Sequence, residues 1–180
     1  ELPEGYGMKW EGEKSASNES MKYLFKYYPL AVILMIAILI ALFKDYRKPA
    51  IIVLCLPLLF IGVIFGMMLS GKTFGFVAIV ATLGLVGMLI KNGIVLMDEI
   101  TLQINAGKEP VDALMESSAS RFRPVMLASL TTILGMIPLL GDSLFGPAAV
   151  VIMGGLLVGT LITLLFIPVL YALFYRIRIK

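Results

Sequence analysis

One charged residue interrupts an apolar run long enough to cross a bilayer: Lys91, in Gly84-Leu-Val-Gly-Met-Leu-Ile-Lys-Asn-Gly-Ile-Val-Leu-Met97. A lysine near the middle of a membrane helix costs about 2.5–3.5 kcal/mol on insertion scales, so it normally faces protein or water and meets a counter-ion. Its chemistry would be ionic pairing with a carboxylate, switched on and off by a proton. No apolar run in this sequence carries an aspartate or glutamate between its ends; the nearest acids on the same helix are Asp98 and Glu99, two turns further along. Two readings follow. Lys91 either snorkels to the interface and meets Asp98, or it points into a helix bundle toward a carboxylate from elsewhere. Gly84, Gly87, Lys91 and Asp98 fall at i, i+3, i+7 and i+14, on the small-residue face that membrane helices use for close packing, which favours the second.

Hydroxyls and a cation elsewhere could serve such a lysine. Ser129 and Thr132 follow Ala128 on a later apolar run; a hydroxyl facing a buried lysine can position a proton, whereas one bonded to its own i−4 carbonyl cannot. Arg121 and Arg123 precede that run as orientation anchors, and Arg121 is also placed to face an inner proton path. Gly155, Gly159 and Thr163 form a further small-residue stripe, read as helix packing. Eleven methionines are scattered among aliphatics, which suits gap-filling rather than soft-metal binding.

The elements that must hold these residues are legible in composition. The 180 residues are 59% hydrophobic and 15% charged, against roughly 45–50% apolar and ~25% charged for an average soluble domain. The expected fold is an all-α integral membrane protein with five transmembrane helices, over about 27–43, 49–69, 73–97, 124–140 and 146–175, since each run approaches the ~20 residues that cross the hydrocarbon. Continuous rather than alternating apolarity disfavours strands. Pro29 and Pro124 suit first helical turns, and Pro57, Pro138 and Pro168 should kink or end helices. Residues 110–116 alternate Val111, Leu114 and Met115 with Asp112 and Glu116, predicting a short amphipathic interfacial helix or an ordinary connector. Residues 1–26 form a polar tail outside the membrane.

Basic residues set the orientation. With the tail outside, Lys44, Arg47, Lys48, Lys108, Arg121, Arg123, Arg176, Arg178 and Lys180 lie inside, against Lys9, Lys14, Lys22, Lys26 and Lys72 outside. The N-terminus is therefore expected out and the C-terminus in. A polar outside tail beginning Glu1-Leu2-Pro3 implies that something upstream carried it across, so the chain is expected to be a C-terminal part, or a processed piece, of a longer protein.

Several functions are disfavoured. Without histidine the commonest metal ligand and general base are missing, no metal site is expected, and a serine–histidine hydrolase is excluded. Cys55 is the single cysteine and cannot form an intrachain disulfide. The glycines sit in apolar helices rather than in a phosphate loop, and the +3 net charge lies in loops rather than in a stripe for nucleic acid. No enzyme activity is expected.

The segments GLVGMLIKNGIVLMDE (84–99) and RFRPVMLASLTTILGMIPLL (121–140) resemble the resistance-nodulation-division (RND) efflux pumps, particularly the hydrophobe/amphiphile branch. The tail LPEGYGMKWEG is similar to the lead from a porter domain into the eighth helix, and MGGLLVGTLITLLFIPVLYALF to the last helix. The resemblance implies helices eight to twelve of a twelve-helix, homotrimeric multidrug/proton antiporter of the bacterial inner membrane, with a periplasmic N-terminus and a cytoplasmic C-terminus. It implies no cofactor beyond the proton-motive force, and as partners a periplasmic adaptor, an outer-membrane channel and an acidic pair on another helix that Lys91 would meet. The relay hydroxyl of the pattern falls at Ala128, leaving Ser129 or Thr132 to substitute. The alternative class is an autonomous membrane fragment acting as an oligomeric scaffold or regulator of another transporter.

Overall fold

A computed structural model describes residues 13–177, and every regular element among them is helical. They are α1 (Glu13–Phe43), α2 (Arg47–Ser70), α3 (Phe76–Asn105), α4 (Pro110–Met136) and α5 (Gly146–Phe174), with a 3-10 turn over Ile137–Gly141. All five α-helices contain windows long and apolar enough to cross a membrane.

The chain divides into two units, Glu1–Leu42 and Phe43–Lys180. In the first, α1 carries Pro29 in its interior. The expected start near residue 27 is thus superseded: the helix is already running at Glu13. A proline removes one backbone hydrogen bond at about 3 kcal/mol, but leaving the helix at a membrane boundary would strip several backbone groups of partners. The same competition decides α4. It runs unbroken through Pro124 from Pro110 to Met136, so the expected separate interfacial helix is the first half of a single long helix. Pro138, by contrast, does end a helix, at the point where the 3-10 turn takes over.

Local chemistry sets the remaining ends. Gly71 closes α2 at φ 62°, its N–H reaching the Met67 carbonyl, a left-handed position that glycine adopts without penalty. Gly107, at φ 89°, does the same in the turn after α3. Asp142 accepts the N–H groups of Leu144 (2.8 Å) and Phe145 (2.7 Å) ahead of α5, and these two bonds hold its carboxyl below the usual range.

In the Phe43–Lys180 unit α5 packs on α2, α3 and α4. The interior is aliphatic: Leu59, Val63, Ala78, Leu85, Leu89, Val151 and Leu156 are buried together. Glycines permit the approach of α2 to α5. A Cβ on Gly62 would lie 2.6 Å from the Gly154 carbonyl oxygen, and one on Gly154 2.7 Å from that of Gly62. Large aliphatic and aromatic side chains such as Phe65, Met68, Leu134 and Leu165 point outward, as a surface solvated by lipid requires.

Candidate membrane charge site

The setting of α3 follows from its buried stripe, Thr82, Leu85, Leu89, Gly93, Leu96 and Ile100, spaced three and four apart as one helix face demands. Gly93 is held against Ile52 and Ile167, both 3.3 Å from where its Cβ would be. At 100° per residue, Gly84, Gly87, Lys91 and Asp98 fall within roughly 60° of one another on the opposite side. All four are exposed in this unit, and no atom lies within 4 Å of a Cβ built on Gly84 or Gly87.

Lys91 therefore presents its ammonium on a bare, glycine-floored face. The ion pairs among the described residues are Lys108–Glu116 and Arg121–Glu99; neither involves Lys91 or Asp98, so the snorkelling arrangement with Asp98 is not formed. Gly155 and Gly159, unlike Gly84 and Gly87, lie inside the unit, with Leu85 and Val63 against the first and Leu89 and Leu59 against the second.

The hydroxyls point elsewhere. Ser129 is buried, and its Oγ lies 2.8 Å from Thr160 Oγ1 on α5, a partner that sequence spacing had not suggested. Thr132 donates to the carbonyl of Ala128 at 2.9 Å, the self-bonded state in which a hydroxyl does not face a lysine. Ala128 itself is exposed. Arg121 is engaged by Glu99, which also accepts from Gln103 Nε2 at 3.2 Å. That pair ties α4 to α3 two turns beyond Lys91. The four proposed relay residues are thus not gathered around one point within this unit.

A second polar cluster joins the α1–α2 connection to the end of α5. Tyr175 donates its phenol to Asp45, whose other carboxylate oxygen accepts the Arg47 N–H at 3.0 Å. Burial works to raise the Asp45 carboxyl, but the Tyr175 and Arg47 hydrogen bonds and the charges of Lys48 and Arg47 outweigh it and hold the group below its ordinary value. Burial, then the bond to Asp45, drives the Tyr175 phenol well above its own. Arg47 lies 5.6 Å from the Tyr175 ring centre, and Tyr171 stacks on that ring at 4.4 Å. Lys48, buried beside this cluster, donates to Thr101 Oγ1 at 2.8 Å. No local pattern announces an Asp45–Tyr175 contact across 130 positions, whereas the Gly62-x-x-x-Gly66 spacing was a readable signal for the α2–α5 contact. Among the described residues no group of three His, Cys, Asp or Glu side chains could hold a metal ion.

A sequence model of the AcrB/AcrD/AcrF family matches residues 1–175. Among solved structures, the chain is similar to a heavy metal efflux pump in two crystal forms. Form II matches at 27% identity with a TM-score of 0.79, over 98% of this chain and 18% of that one. Form I matches at 26% identity with a TM-score of 0.74, over the same shares of 98% and 18%. The chain thus spans under a fifth of the length of the structures it matches.

Proposed function

The chain belongs to the AcrB/AcrD/AcrF family, within the RND efflux pumps, and from that premise we propose that it supplies helices eight to twelve of a proton-driven exporter, with Lys91 as the cationic half of its intramembrane switch. The observation that carries this reading is the exposed ammonium on the glycine-floored face of α3, a charge in a membrane span with no carboxylate beside it among the described residues. An acidic pair on another helix of the transporter packs on Gly84 and Gly87 and meets Lys91. Protonation of that pair removes the attraction, and the helices around Lys91 shift to a second arrangement that drives export. Ser129 and Thr132 serve as proton relays only if they turn from their present partners; Arg121 stands nearer the inner surface.

In this reading the protein is not an enzyme and needs no cofactor, because the proton gradient supplies the energy. It works as a homotrimer in the bacterial inner membrane, N-terminus periplasmic and C-terminus cytoplasmic, with a periplasmic adaptor and an outer-membrane channel. The motif resemblance supports amphiphilic compounds as multidrug cargo. The two heavy metal efflux pump structures support a second cargo, a metal ion.

The test is Lys91→Met in the complete transporter, assayed in cells for accumulation of a fluorescent amphiphile and, separately, for tolerance of copper, silver and zinc salts. Loss of export with normal membrane insertion is expected, and which assay responds in the unaltered protein identifies the cargo. Proton-coupled export at the unaltered rate in Lys91→Met refutes the proposal.

A further inference from the structure

The first half of α4 and the last turns of α5 enclose an open apolar groove of about 720 Å³. On α4 its wall is the stripe Val111, Leu114, Met115 and Ser118, and on α5 it includes Pro168 and Leu173. Both walls belong to helices long and apolar enough to span a membrane, and the α4 wall precedes Arg121 and Arg123, so the groove lies at the interface, where acyl chains meet their headgroups. Its charged lining residue is Arg176, just past the end of α5. Arg176 is exposed, its backbone held in the left-handed region at φ 51°, and it takes part in no ion pair among the described residues. Of the two acids adjoining the α4 wall in sequence, Glu116 is already engaged by Lys108, and Asp112 is exposed in the first turn of α4. A hydrocarbon trough with an unengaged guanidinium at its polar end matches one ligand chemistry, an acyl chain joined to a phosphate.

We propose that this groove holds one acyl chain of an anionic phospholipid, with the headgroup phosphate on the Arg176 guanidinium. The aliphatic walls give affinity without selecting a headgroup; Arg176 provides the selection, since guanidinium donors match phosphate oxygens in geometry and charge. Basic pockets between membrane helices at the interface recognise anionic headgroups in this way. The inference needs only that the helices lie in a bilayer and is independent of any transport cycle.

The test uses the 180-residue chain in vesicles, with Trp10→Phe and a reporter Met115→Trp in the groove. Quenching is compared for dibrominated phosphatidylglycerol and dibrominated phosphatidylcholine of identical chains. Phosphatidylglycerol should reach half-quenching at about a fivefold lower mole fraction, the preference that one basic residue near the surface gives at about 1 kcal/mol. Arg176→Gln should abolish the preference and Arg176→Lys should retain most of it, with helix content by circular dichroism unchanged in both. A reporter at exposed Met68 on α2 should show no preference. Equal quenching by the two lipids, a preference that survives Arg176→Gln, or a groove reporter that neither lipid reaches because protein covers it would each overturn the proposal.

Discussion

Adding one methyl group to a glycine should have opposite consequences on the two glycine-bearing faces of this bundle. A Cβ on Gly62 would meet the Gly154 carbonyl oxygen at 2.6 Å and Val158 Cβ at 2.7 Å, whereas one on Gly87 meets nothing within 4 Å. The atoms facing Gly62 are backbone and a branched Cβ, so they cannot rotate aside and α2 must move off α5. Both substitutions gain the same intrinsic helix preference of alanine over glycine, about 1 kcal/mol. That gain cancels in their difference, leaving the overpacking cost of about 1–3 kcal/mol. Gly62→Ala should therefore unfold more readily than Gly87→Ala by that amount. The measurement is reversible unfolding of the chain by sodium dodecyl sulfate in mixed micelles, followed by energy transfer between labels at exposed Leu54 and Leu165. Equal midpoints for the two variants would refute the packing argument. In the complete transporter the ranking should change, because Gly87 would face the helix that meets Lys91: Gly87→Ala should then impair export while the isolated chain is stabilised. If Gly87→Ala leaves export untouched, no helix packs closely on that face.

Three further outcomes are expected. Ser129→Ala strands the buried Thr160 hydroxyl and should cost about 1–3 kcal/mol, while Ser129→Ala with Thr160→Val removes both partners and should recover much of the loss; equal losses in single and double variants would mean that the pair is not a hydrogen-bonded unit. The Glu99–Arg121 pair is partly exposed, so a double-mutant cycle with Glu99→Gln and Arg121→Gln should give a coupling below about 1 kcal/mol, and a coupling of zero would place the Arg121 charge elsewhere. Because the Asp45 carboxyl is lowered, its contribution is present above its unfolded value of about 3.9 and is lost as pH falls through the folded value. Because the Tyr175 phenol is raised, its contribution is present below about 10 and is lost as pH rises through the folded value. The shared bond thus contributes to both edges, beside burial for Tyr175 and the Arg47 hydrogen bond for Asp45, and in Asp45→Asn the tyrosinate absorbance of one tyrosine should move to lower pH; an unchanged titration would refute the contact.

The helices were legible because hydrocarbon admits few alternatives: five continuous apolar runs yield five helices with no strand among the described residues. The same physics explains where the reading failed. Pro29 and Pro124 suit helix starts by a rule that holds in water, where an abandoned backbone finds new partners, but both lie inside helices. On α5 the stripe Gly155, Gly159 and Thr163 marks one packed face, and all three are buried, but the full burial of α5 against three neighbours has no such signal, since the helix is apolar on every side. Of the candidate charge site, the face bearing Gly84, Gly87 and Lys91 followed from helical spacing alone. The partners of Ser129 and Arg121 did not, because Thr160 and Glu99 lie on other helices and pairing across helices leaves no trace in local spacing.

The isolation of Lys91 is itself a product of packing. Lys91 and Asp98 share one face of α3 without pairing, and turning α3 to carry Lys91 toward the neighbouring helices would withdraw Leu85, Leu89, Leu96 and Ile100 from an interior where all four are buried. Each fully buried aliphatic side chain contributes about 1.5–3 kcal/mol in the area-transfer sense when water is the reference, and in lipid the close packing is the part that remains. Against four such contacts stands one charge whose insertion penalty is about 2.5–3.5 kcal/mol. The packing wins, so α3 keeps its setting and the charge stays on the outer face. Three other cations carry no such tension: Lys48 rests on Thr101, Arg121 on Glu99 and Lys108 on Glu116. A helix locked by its buried face and left unsatisfied by one residue on the opposite face responds to whatever charge is presented there. That is the physical requirement for a switch set by protonation of a neighbour, and it concentrates the functional reading on Lys91.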